Sequence, residues 1–201
     1  MSKTSSISSI IYEIESYIKH SKKESFTFKL NELPFHDNYS MDIRKHNQFI
    51  PLFQSLNSKK HHCLYWFSTS TEKDALHLKK LIENKRYQLL NQQDKRVIPA
   101  KNDNRSNVIY LGVRKKGGRK YTMINRKRIN DELSNISGRI IQHLGYYRKG
   151  STQGLQLAHW SNEEEIDITL NIIEFPNLSD AYLYIIEKLY AIELKPILGK
   201  H

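Results

Sequence analysis

Apolar positions recur at helical spacing near the start of the chain. Ile7, Ile10, Ile11, Ile14, Tyr17 and Ile18 follow a run of serines able to cap, predicting an amphipathic helix over residues 5–20. "SFTFKL" (25–30) alternates as a short strand does, and Met41 to Leu56 reads as a helix interrupted or restarted near Pro51. "CLYWFS" (63–68) is a compact β-prone run. "TEKDALHLKKLIENKRYQLL" follows, a helix with Thr71 as its cap and an apolar pattern of Ala75, Leu76, Leu78, Leu81 and Ile82. "VIYLGV" (108–113) predicts a second strand and "IDITLNIIEF" (166–175) a third. "SNISGRIIQHLGYY" is an amphipathic helix, "STQGLQLAHW" a short helix ending at Trp160, and "LSDAYLYIIEKLYAIEL" (178–194) a final helix stopped by Pro196.

From Cys63 onward this order predicts an α/β chain of the layered α+β kind. A small, mainly antiparallel sheet of about three strands is flanked by helices. Residues 1–60 are expected to form a mostly helical accessory region. Residues 61–201 form the main domain, with insertions at about 71–106 and 114–134.

Charge narrows the partners. The 201 residues carry 32 Lys and Arg against 21 Asp and Glu, a net +11, with 38% hydrophobic and 10% aromatic residues. That is a globular composition with a strong basic surplus, and nucleic acid is the polyanion it suits best, because each cation placed on a phosphate releases condensed counterions. A membrane surface would require an anchoring apolar segment, and none is found in the sequence. Glu13 and Glu15 interrupt any signal-peptide pattern, so a cytoplasmic location is expected. The single cysteine, Cys63, excludes an internal disulfide and a multi-cysteine metal site. His61 and His62, with His36 and His46 upstream, lack ligand spacing on a known element. The basic run Arg114, Lys115, Lys116, Arg119 and Lys120, continued by Arg126, Lys127 and Arg128 and joined by Tyr121, suits phosphate contacts with some base stacking.

Arg139 and His143 lie four residues apart, outside the ridge of Ile136, Ile140, Ile141 and Leu144, and taken alone such a pair reads as a solvated face. Other short motifs give it a context. "CLY" (63–65) and "YLG" (110–112), on successive strands, are followed by Arg-x-x-x-His at 139–143. Glu187 is then followed nine residues later by Pro196. In order and in type of element these resemble the GIY-YIG nuclease family, over roughly residues 62–200. Four departures stand out: Cys63 replaces the first glycine, 45 positions separate Tyr65 from Tyr110, the basic stretch after Gly112 delays Arg139, and Gly199 replaces an asparagine that many members place three residues after the proline.

The resemblance implies a metal-dependent endonuclease hydrolysing phosphodiester bonds in DNA, with RNA also open, of a restriction or defence type. It further implies one Mg²⁺ or Mn²⁺ ion per site on Glu187, Arg139 on the scissile phosphate, and Tyr65 and Tyr110 lining the site with one of them as general base. His143 would orient that tyrosine or relay its proton. Residues 1–60 and the insertions would then provide sequence recognition or a homodimer contact. The alternative is a nucleic-acid-binding module that keeps the fold without turnover.

Overall fold

The computed structural model describes residues 7–34, 42–91, 97–117, 122–124, 127–129, 134–146 and 153–199. It is an α+β fold built on an antiparallel sheet of four strands rather than about three. These are β1 (Lys23–Lys29), β2 (His62–Thr69), β3 (Val108–Arg114) and β6 (Asp167–Phe175), in the spatial order β1-β6-β2-β3. The additional strand is the alternating segment near the N-terminus. It pairs along its whole length with β6, from Lys23 opposite Ile173 to Lys29 opposite Asp167.

Strand β2 is central and apolar throughout, because both of its faces are covered. Cys63, Tyr65 and Phe67 point into one core with α2 (Ile50–Ser58), α3 (Glu72–Asn91) and α4 (Asn135–Leu144). Leu64 and Trp66 point into a second core with α1 (Ile7–His20) and α5 (Asp180–Leu194). Pro51 lies in the first turn of α2, where its missing N–H costs no helical hydrogen bond. Of the segment expected as a helix ending at Trp160, the described residues, 153–160, form a 3-10 turn, Leu157–His159. Within the basic run, β4 (Thr122–Ile124) and β5 (Lys127–Ile129) pair as a separate two-stranded ribbon.

Two features prepare the site. Helix α4 is capped at one end by Ser134, whose hydroxyl accepts from the Ser137 N–H, and at the other by Gly145 in the left-handed region at φ +100°. Strand β3 is a sheet edge, and the segment after α5 covers only its first half: Ile197 and Leu198 donate to the carbonyls of Val108 and Ile109, each at 2.9 Å. The half carrying Gly112 to Arg114 is left open to a cavity. No helix among the described residues is long and apolar enough to cross a membrane.

Phe28 of β1 packs edge-on against Phe49 and belongs to the same core as α4. Phe28→Ala is therefore expected to destabilise the whole chain by about 3–5 kcal/mol. Far-ultraviolet circular dichroism and tryptophan fluorescence should lose structure at one shared midpoint on denaturation. Two separate transitions would contradict a single cooperative core.

Candidate active site

The pairing register brings the two tyrosines together. Tyr65 lies opposite Gly112 and Phe67 opposite Tyr110, so Tyr65, Tyr110 and Gly112 share the sheet face on which α4 packs. The rings of Tyr65 and Tyr110 are 6.2 Å apart between centroids. A Cβ on Gly112 would come within 2.8 Å of the Tyr65 hydroxyl and 3.1 Å of the Tyr110 ring, so only glycine leaves both phenols in place.

Helix α4 closes over them. Arg139 and His143 retain only 9% and 0% of their surface exposed, so the pair faces inward rather than into solvent. Arg139 Nε donates to the Tyr65 hydroxyl at 3.0 Å, and one Nη2 N–H donates to the Tyr110 hydroxyl at 3.2 Å. Nη1 donates to Gln142 Oε1 at 3.0 Å and to the Gln153 carbonyl. Four of the five guanidinium N–H groups are thereby engaged, and every acceptor is neutral. Burial opposes the charge of Arg139, but the adjacent phenol oxygens hold it protonated and its pKa rises further.

The role of His143 follows from its second nitrogen. Nδ1 accepts the Leu155 backbone N–H at 3.1 Å, so the neutral ring carries its proton on Nε2, which donates to the Tyr65 hydroxyl at 3.0 Å. Complete burial, with the Arg139 and Arg114 charges adding to it, pushes the His143 pKa well below the ordinary imidazole value. Of the two roles expected for it, this tautomer fits orienting Tyr65 and not taking its proton. Tyr65 Oη thus accepts from two N–H donors. Its pKa is nevertheless raised, chiefly by burial and also by the neighbouring Tyr110, with Arg139 opposing.

Tyr65, Tyr110 and Arg139 line a cavity of about 230 Å³ with Gly112, Val113, Arg114, Gln153 and Glu187. Glu187 belongs to α5 on the opposite face of the sheet and lines the cavity at the β3 edge, which the 197–199 segment leaves open. It is half-buried, and among the described residues no hydrogen bond or ion pair engages its carboxylate. Burial raises its pKa, with Lys188 opposing. A half-buried carboxylate without a partner is a suitable single ligand for a hard divalent cation that takes its remaining oxygens from water and phosphate. Among the described residues no group of three or more His, Cys, Asp or Glu side chains is arranged to hold a metal ion.

All five residues expected at the centre therefore meet: Tyr65, Tyr110, Arg139 and Glu187 line the cavity, and His143 stands behind Tyr65. The basic run divides. Arg114 lines the cavity, whereas Lys115 pairs with Asp180 Oδ2 at 2.5 Å and Lys116 is exposed. Lys127 and Arg128 are in β5, and Arg119, Lys120 and Arg126 lie outside the described residues. At the departure from the asparagine pattern, Gly199 sits at φ +117° and donates its N–H to the Ala100 carbonyl. That left-handed backbone favours glycine.

Sequence reasoning passed over Gln142, Gln153 and the Leu155 N–H, which fix Arg139 and His143. Nothing in the amino-acid order marks them: that a Cβ on Gly154 would come within 3.0 Å of the Gln142 carbonyl oxygen shows only in the fold. No protein-family profile, curated protein or solved structure matches the chain.

A histidine held neutral in the folded chain makes stability depend on pH in one direction. Between its depressed folded pKa and the unfolded value of about 6.5, the unfolded chain binds the extra proton, so stability falls as pH is lowered, by up to about 1.4 kcal/mol per pH unit. His143→Gln should remove that slope relative to the wild type in urea melts taken across this range. Equal slopes in the two proteins would contradict a neutral buried His143.

Proposed function

We propose that the chain is a metal-dependent endonuclease of the GIY-YIG type that hydrolyses phosphodiester bonds in DNA, a restriction or defence type of enzyme. One observation carries the reading. Two tyrosines, a buried arginine and a glutamate, the last two without an ion-pair partner among the described residues, converge on one small cavity on a strongly basic chain. A buried cation compensated only by neutral acceptors favours an anion beside it. The four motifs that resemble the family supply those same residues. A cytoplasmic location belongs to this reading, and the buried thiol of Cys63 is compatible with a reducing compartment.

The chemistry assigned to each side chain follows from its bonds. A phenolate oxygen accepts up to three hydrogen bonds, and Tyr65 Oη already has donors from Arg139 Nε and His143 Nε2. Its third direction is available to take a proton from the attacking water, so Tyr65 is the general base of this proposal. His143 keeps the oxygen aimed, and Arg139 ties the two tyrosines into one rigid unit. Glu187 would hold Mg²⁺ or Mn²⁺, which supplies Lewis-acid stabilisation of phosphate charge when bound. Tyr110, hydrogen-bonded to Arg139 at the cavity wall, limits the position of the phosphodiester.

Purified protein incubated with plasmid and Mg²⁺ should nick or linearise the DNA, and Glu187→Gln should lower the rate by at least about a hundredfold without shifting the thermal melt. The wild-type rate should rise with pH from neutral toward alkaline, following the raised Tyr65 phenol, without an inflection at the histidine pKa. Cleavage retained by Glu187→Gln would refute the assignment. A salt-dependent gel shift without nicking under either metal would favour a non-catalytic binding module.

A further inference from the structure

The two cavity arginines differ in how many donors they have left. Arg139 has committed Nε, both Nη1 protons and one Nη2 proton to protein acceptors, leaving among the described residues a single N–H on Nη2. A two-pronged grip on a phosphate needs two adjacent N–H groups directed the same way. Arg139 cannot provide it without giving up at least one of its bonds to Tyr65, Tyr110, Gln142 or Gln153.

Arg114 is in the opposite condition. It follows Tyr110 and Gly112 at the two-residue period of β3, which puts it on the same sheet face, and it lines the same cavity. Its Nε is buried and has no hydrogen-bond partner, and among the described residues no acceptor or carboxylate engages its guanidinium. The residue directly across on β2 is Cys63, whose thiol burial pushes up to about 12, so it offers no countercharge. The neighbouring Lys115 is held by Asp180 and lies over the Tyr184 ring. A desolvated donor left unpaired in a cavity wall is costly unless a ligand supplies the acceptor.

We propose that Arg114 is the residue that grips the phosphodiester with a two-pronged guanidinium fork, and that Arg139 is a positioning residue for the tyrosines. This rests on the reading of the cavity as a phosphodiester site, and it adds a contact that the motifs did not identify. Lysine would not substitute for Arg114, because an ammonium retains the charge but not the fork.

The test uses the full chain and a short labelled DNA duplex in EDTA, so that binding is scored without cleavage. Arg114→Gln and Arg114→Lys should each weaken binding at least about tenfold. Lys19→Gln, the same loss of charge on an exposed α1 position, should change it by less than about twofold. Arg114→Lys binding as the wild type does, or Arg114→Gln matching the Lys19→Gln change, would overturn the proposal. A readout independent of any variant is titration of the wild type with dimethyl phosphate while the arginine Nε–H resonances are followed by nuclear magnetic resonance. The Arg114 signal should shift and saturate while that of Arg139 stays nearly still; the reverse order would overturn the assignment. A parallel plasmid assay separates the two claims. Wild-type protein that binds through Arg114 yet never cleaves refutes the nuclease and leaves the phosphate grip standing. Cleavage with unimpaired Arg114→Lys refutes only the grip.

Discussion

The Tyr65 hydroxyl accepts one hydrogen bond from Arg139 and another from His143, and the site is organised around that oxygen. An arginine as buried as Arg139 is tolerated only where its donors are satisfied, and here two phenols, an amide oxygen and a backbone carbonyl do so. Neutral partners satisfy the geometry without cancelling the charge. The cavity therefore keeps a positive field, which the fold would lose if a carboxylate paired with the guanidinium.

Holding this arrangement places demands on distant parts of the chain. The β2–β3 register sets Gly112 opposite Tyr65, and a side chain there would displace the phenol. The Gln153–Leu155 segment supplies acceptor and donor backbone groups to the two α4 residues. The caps at Ser134 and Gly145 limit α4 to the span that aims Arg139 and His143 inward. On the other side of the sheet, α5 carries Glu187 at the open half of the β3 edge. The central β2 is buried on both faces, so a one-residue slip in its register would exchange the contents of the two cores.

Much of this was legible in the amino-acid order. The strands at 63–68, 108–113 and 166–175 and the helices around Leu78, Ile140 and Ile186 carry strong apolar periodicity, and each forms within a few residues of its expected bounds. What escaped was non-local or lacked a side-chain signature. β1 alternates as a strand should, but its pairing with β6 near the other end of the chain leaves no local mark, so the sheet was undercounted by one. Periodicity alone hid the inward face of Arg139 and His143, because polar residues beside an apolar ridge ordinarily meet water; only the resemblance of the short motifs placed the pair at the site. Their burial depends on a backbone segment whose residues, Gln153 and Leu155, look unremarkable. Arg114 was visible only as one cation in a run; the register separates it from Lys115, and the end of β3 separates it from Lys116.

The roles of Tyr65 and Arg139 follow from which ring nitrogen of His143 carries the proton, so the His143 tautomer decides between them. Nitrogen-15 nuclear magnetic resonance of histidine-labelled protein reads that proton in solution. The account predicts a neutral ring protonated on Nε2, unchanged as the pH is taken from 8 to well below the ordinary histidine pKa of about 6.5. A ring protonated on Nδ1, or one that becomes an imidazolium near that value, would contradict it.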